Sequence, residues 1–260
     1  MLLYFCRKDT ILRYFIIFAY NGKNYHGWQV QPNAITVQQV LEEKLSILLG
    51  KKTEVTGAGR TDAGVHARSM TAHFDCENIS QSSSQLIHRL NSFLPKDISV
   101  QDIFPVTEQA HARFDATSRS YEYIITTRKN PFLTEYAWEI SHLSLNVERM
   151  NAAAALLLHH EDFTSFARLH ADNKTNICHV QQAYFEPRGA QIYFSITADR
   201  FLRNMVRAIT GTLVDVGSGK LSEKEFEEII RKKGRNFASA SAPAHGLYLT
   251  AVRYPEHIRL

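Results

Sequence analysis

Cysteine is scarce in this chain. Cys6, Cys76 and Cys178 are odd in number and far apart, so neither a disulfide framework nor a paired-thiol metal clip can be read from them, and a reducing, cytoplasmic setting is the expectation. Long apolar runs are lacking as well. The opening MLLYFCRKDT is interrupted by charge too early for a secretory core, and YFIIFAY at 14–20 is far below membrane-spanning length, so no membrane partner is expected. A strong excess of one charge is missing too: 30 Lys and Arg against 26 Asp and Glu leave a formal +4, so a polyanion site must come from local clustering. The 12 histidines include no His-x-x-x-His or His-Glu-x-x-His spacing, and there is no Walker sequence, dinucleotide fingerprint, low-complexity tract or convincing repeat.

What is present is an ordinary globular balance, 44% hydrophobic and 22% charged over 260 residues, enough for one large or two modest cores. RYFIIFAY (13–20) reads as a buried strand closed by the loop NGKNYHG. The next segment is helical, because Thr36 and Gln39 have capping-box spacing, Val37, Val40, Leu41, Leu45 and Leu48 recur at helical intervals, and Gly50 suits a left-handed stop. TEVTGAGRTDAGVHARSMTAHFD then reads as strand, Gly-rich loop, strand. Ser82 and Gln85 open a second helix that Pro95 ends, and SVQDIFPV and RSYEYIITT are strand candidates. NPF at 130–132 marks a turn and a boundary region between halves. Asn146 caps an Ala- and Leu-rich helix reaching about His159, a long polar loop covers 161–176, and VQQAYFEPRGAQIYFSITA is a hairpin around PRG. DRFLRNMVRAITGTLVDVG is predicted helical, Ser222 and Glu225 cap a further helix, and LYLTAVRYP supplies a late strand.

Three features carry chemistry. In GAGRTDAGVHA (57–67), glycines at 57, 59 and 64 permit tight turns and close ligand approach, Asp62 projects from the loop, Arg60 suits a phosphate, and Thr61 and His66 add hydrogen-bonding capacity. Such an aspartate is a nucleophile or a base, or it merely caps a backbone amide in a Gly-rich turn; the pattern alone leaves these open. Arg200, Arg203 and Arg207, at i, i+3 and i+7, would form one stripe on the predicted helix, with Phe201, Leu202, Met205, Val206, Ile209 and Leu213 opposite. That stripe suits phosphates or a carboxylate such as Asp62, or is simply a solvated face. Tyr121 and Tyr123 share one face of a strand, and they, like Tyr25 and Trp28 in NYHGWQ, are either base-stacking platforms or packed core aromatics.

RYFIIFAYNGKNYHGWQ, GAGRTDAGVHA, HARFDATSRSYEY, DFTSF, FLRNMVRAITGTL and APAHGLYL occur in the order found in the tRNA pseudouridine synthase A (TruA) family, which the chain therefore resembles from Arg13 to near its end. The resemblance implies an α+β pseudouridine synthase fold: two α/β halves sharing a central, mainly antiparallel sheet, helices outside, and a cleft between the halves. It implies an N-terminal extension at 1–12, a half at 13–115 carrying the catalytic loop, and a half at 116–260 carrying the basic helix. The implied activity is isomerisation of uridine to pseudouridine at positions 38, 39 and 40 of the tRNA anticodon stem-loop, by a homodimer without metal or organic cofactor. Asp62 matches the catalytic aspartate, Tyr121 the tyrosine stacked on the target base, and Arg207 the basic residue paired with the aspartate. Arg60 matches an RNA-contacting neighbour in the motif, and Arg203 is carried along as a substrate-binding arginine. Residues 1–12 precede the usual family start and are expected to be poorly ordered, and Ser239 stands where a glycine is expected, leaving the conformation of that loop open. Two other classes stay in view: an RNA-binding protein with no chemistry, and a metal-dependent nuclease built on Asp62, Asp75, His159 and Asp162.

Overall fold

The computed structural model describes residues 11–77, 79, 81–168 and 174–260. Strand β1 (Ile11–Tyr20) is followed by helix α1 (Val37–Leu49), the short β2 (Thr56–Gly57), β3 (His66–Glu77), α2 (Ser83–Phe93) and β4 (Ile98–Val106). Then come β5 (Ser118–Thr126), the short β6 (Trp138–Glu139), α3 (Val147–Leu156), β7 (Val180–Arg188), β8 (Gln191–Ala198), α4 (Met205–Gly217), α5 (Glu223–Lys232) and β9 (Leu247–Arg253). This is the expected α+β class with a mainly antiparallel sheet. The sheet runs β4-β1-β3-β9-β5-β8-β7, with β2 paired to β3 and β6 to β5. Among the described residues, only β3–β9 and β5–β6 are parallel. The last strand thus closes the centre of the sheet, with His66 opposite Tyr248 and Tyr121 opposite Leu249.

Local hydrogen bonding explains where the helices begin. Thr36 accepts from the Gln39 backbone, Ser82 and Ser222 complete reciprocal capping boxes with Gln85 and Glu225, and Asn146 accepts from the Arg149 backbone. Gly50 ends α1 at φ 70, as its position predicts.

One core packs Ile16 and Phe18 of β1 and Ala72 and Phe74 of β3 against Leu41 and Leu45 of α1 and Leu86 and Leu90 of α2. A second packs Tyr123 and Ile125 of β5 and Phe194 and Ile196 of β8 against α3, α4 and Phe226 of α5. Tyr121 packs against both cores, so it lies where they meet. Phe15, which alternates with Tyr14 and Ile16, turns to the other side of the strand and forms a small cluster with Val106, Ala110, Ala112 and Ile258.

The basic helix departs from expectation. Arg200 and Arg203 are not helical, because Asn204 takes the left-handed conformation at φ 68 and α4 starts only at Met205. Asn204 spends its side-chain amide on Ser241 Oγ at 2.6 Å instead of capping the helix. A left-handed residue cannot continue a right-handed helix, so the i, i+3, i+7 stripe does not exist. At the N-terminus, Ile11 and Leu12 already pair with Glu77 and Cys76 in β1, two residues before the expected start; the rest of the expected extension, residues 1–10, lies outside the described residues. The same holds for residues 169–173 of the polar loop.

Candidate active site

The loop between β2 and β3 is anchored on all sides. Ala58 N–H donates to Thr71 O at 2.8 Å, Thr61 Oγ1 shares a buried 2.8 Å hydrogen bond with Tyr20 Oη, and Val65 N–H returns to Asp62 O at 3.2 Å. The 22–28 segment presses on it: Trp28 N–H donates to Thr61 O at 3.2 Å and Gly64 N–H to Tyr25 O at 3.4 Å. Of the three motif glycines, Gly64 needs its left-handed φ of 78, and Gly57 needs to lack a Cβ, which would sit 2.6 Å from the Trp28 ring. Gly59 meets neither demand. Trp28 and Tyr25 are buried, so NYHGWQ is a packed corner supporting the loop rather than a stacking platform.

This scaffold presents Asp62 with 22% of its side chain exposed. Arg207, in the first turn of α4, donates from Nη1 to Asp62 Oδ2 at 3.1 Å and from Nε to Ala242 O at 2.8 Å. Arg203, from the bend before the helix, brings Nε to 3.5 Å from Asp62 Oδ1 while staying half exposed. Two guanidiniums therefore face one carboxylate, leaving a local positive excess that favours an approaching phosphate backbone. Arg200 does not join them; it is partly buried and its backbone N–H is taken by Asp199 Oδ1. Arg60 is exposed on the same loop and, among the described residues, makes no hydrogen bond or ion pair.

Tyr121 lies within reach of the carboxylate's charge. Burial pushes its hydroxyl up to about 12, offset in part by Arg119 and reinforced by the negative charge of Asp62, so it is a neutral phenol at physiological pH. Its ring meets Phe201 edge-on, centroids 5.2 Å apart at 88°. Tyr123 has the commoner fate: fully buried, its Oη donates to Pro243 O at 2.8 Å.

His66 is structural rather than free. Its Nδ1 accepts from Gly22 N–H at 3.1 Å, which leaves Nε2 to donate to His245 O at 3.1 Å, and burial lowers its pKa. Ser239 is not in a left-handed conformation and donates its N–H to Thr212 Oγ1 at 3.2 Å, so no glycine is required there. The residues of the nuclease alternative do not converge. Asp75 is held by Arg13 at 2.7 Å through both oxygens, Asp162 is bound to Thr164 and Lys233, and among the described residues no three His, Cys, Asp or Glu side chains group as metal ligands.

Sequence reasoning did not single out Tyr20, Phe201 as the ring beside Tyr121, or Arg119. Their signals are weak, since an apolar strand end, an apolar neighbour of arginines and one more arginine in SRSYEY all look ordinary until the chain is folded.

The chain matches the model of a family described as tRNA pseudouridine synthase over residues 16–115 and 153–255. It is 52% identical over 246 residues to the tRNA pseudouridine synthase A of Parabacteroides distasonis, covering 95% of this chain and 97% of that one. It is 41% identical over 241 residues to the protein of that name from Thermoanaerobacter sp., covering 92% and 98%, and 37% identical over 252 residues to that from Legionella pneumophila, covering 96% and 95%.

Proposed function

Because the chain belongs to the tRNA pseudouridine synthase family, we propose that it isomerises uridine to pseudouridine in the anticodon stem-loop of tRNA, at positions 38, 39 and 40, with Asp62 as the nucleophile. The coarser statement, that it is an isomerase acting on uridine in tRNA, follows from membership itself. The single observation supporting the assignment of Asp62 is its setting: a part-exposed carboxylate on an anchored loop, 3.1 Å from Arg207 and 3.5 Å from Arg203.

The chemistry asks for such a setting. The bond from N1 of uracil to the sugar C1′ breaks, the base turns, C5 bonds to C1′, and the hydrogen of C5 is replaced while N1 gains one; nothing is oxidised and no group is lost. An ionised carboxylate serves as the nucleophile that carries the intermediate. The Tyr121 ring offers a flat face on which the uracil turns without escaping. The target nucleotide must leave its stack to reach Asp62, and Arg60, Arg203 and the local positive excess supply phosphate contacts that hold the displaced strand. In this reading the halves 13–115 and 116–260 each bring part of the site, the enzyme works in the cytoplasm, and it acts as a homodimer.

The test is direct mapping. An unmodified tRNA transcript bearing uridines at 38, 39 and 40 is incubated with the protein, and pseudouridine is located residue by residue. Product confined to those positions supports the reading; product elsewhere in the tRNA alone refutes the stem-loop assignment.

A further inference from the structure

The guanidinium of Arg119 gathers four carbonyls from three pieces of chain beside the site. Nη1 donates to Ala116 O at 2.9 Å and Asp199 O at 2.7 Å; Nη2 donates to Ala58 O at 3.1 Å and to Arg113 O. Ala58 opens the loop that carries Asp62. Asp199 opens the bend that carries Arg203 and leads into Arg207. One side chain therefore ties the carboxylate's loop directly to the segment delivering its two cations, which approach from more than 140 positions away in sequence.

Among the described residues, no carboxylate pairs with Arg119. The oxygens of Asp199 are engaged by the His179 ring and the backbone N–H groups of His179 and Arg200. Holding a part-buried cation with neutral carbonyls alone is costly, and a plain structural tie is made more cheaply by an amide or hydroxyl. What only guanidinium supplies is a rigid planar fork that meets four acceptors at fixed angles; a lysine has three donors and no fork.

We propose that Arg119 is a positioning residue that sets the spacing between the Asp62 loop and the bend bearing Arg203 and Arg207. All four of its Nη hydrogens are committed to protein carbonyls, so it acts through those residues and not on RNA. Losing the fork lets the nucleophile and its cations drift, and a displacement near 1 Å lowers a rate by about 100-fold. Affinity for tRNA, spread over many phosphate contacts elsewhere, stays close to its original value.

This inference rests on the reading of Asp62 as nucleophile, so Asp62→Asn is run alongside. Arg119→Ala and Arg119→Lys are compared with the unaltered protein in single-turnover rate at saturating tRNA and in tRNA Kd, below the melting temperature of each variant. The rate falls by about 100-fold in both variants while Kd moves by less than about threefold, and methylguanidinium restores part of the rate to Arg119→Ala. A rate within about threefold of the original in either variant overturns the proposal, as does a rate loss matched by weaker tRNA binding and untouched by methylguanidinium. An active Asp62→Asn sinks the reading of the nucleophile; an inert Asp62→Asn beside an unimpaired Arg119→Ala sinks only the role of Arg119.

Discussion

Arg207 and Asp62, 145 positions apart in sequence, meet at 3.1 Å, and the same guanidinium donates from Nε to Ala242 O at 2.8 Å. The arginine is thus aimed by the loop after α5, and the aspartate is met by a cation that cannot swing away.

Arg207→Lys breaks that arrangement, because an ammonium reaches Asp62 or Ala242 O but does not span both. The turnover number falls by about 100-fold, and stability falls by about 1 to 2 kcal/mol as a part-buried carbonyl and carboxylate lose a shared donor. Steady-state kinetics and urea unfolding of the same preparation check the two together.

Gly27→Ala tests the support of the loop from outside it. Gly27 sits at φ 88, and a Cβ there would lie 2.5 Å from the Thr61 carbonyl, one residue from Asp62. The substitution costs on the order of 2 kcal/mol from left-handed strain and the clash combined, and it lowers turnover by shifting Asp62. Gly59→Ala, with open space around its Cβ and no left-handed φ, changes stability by less than about 0.5 kcal/mol. Thermal melts of both variants decide the point.

Acid weakens the fold through histidines. Burial lowers the pKa of His66 and His111, and burial together with the Arg13 and His111 charges brings His73 down to about 4. Each is neutral when folded and takes up a proton near 6.5 when unfolded, so protonation favours the unfolded chain. The contribution of these histidines is level above 6.5, falls as pH drops from 6.5 toward 4, and flattens below their folded values. The loss for His73 is on the order of 3 kcal/mol across that window. Denaturant unfolding at pH 7.5, 5.5 and 4.5 measures it, and His73→Gln, which keeps an acceptor for the Ala112 N–H, reduces the slope.

The legible parts of the fold were those encoded by neighbours. Thr36, Ser82, Asn146 and Ser222 declare helix starts because the partner of each lies three residues on. The Asp62 loop was legible because a charged pair among glycines has no packing purpose. The start of α4 was not, since Asn204 must be left-handed to let Arg203 and Arg207 approach Asp62 from separate directions, and helical spacing of arginines gives no sign of it. An asparagine before the apolar run was the available hint. Period-two alternation places Tyr121 and Tyr123 on one face, yet only tertiary packing sends Tyr123 to Pro243 and leaves Tyr121 at the junction of the cores. Arg119 was invisible because its partners are carbonyls, which every residue has.

Asp62→Asn preserves shape and hydrogen-bonding reach but removes the charge and the nucleophile. Purified variant is assayed for pseudouridine in tRNA and for tRNA binding, with a melt to check the fold. The account requires a folded protein that binds tRNA within about threefold of the original and forms no pseudouridine. Pseudouridine produced at an undiminished rate by a clean preparation of that variant contradicts it.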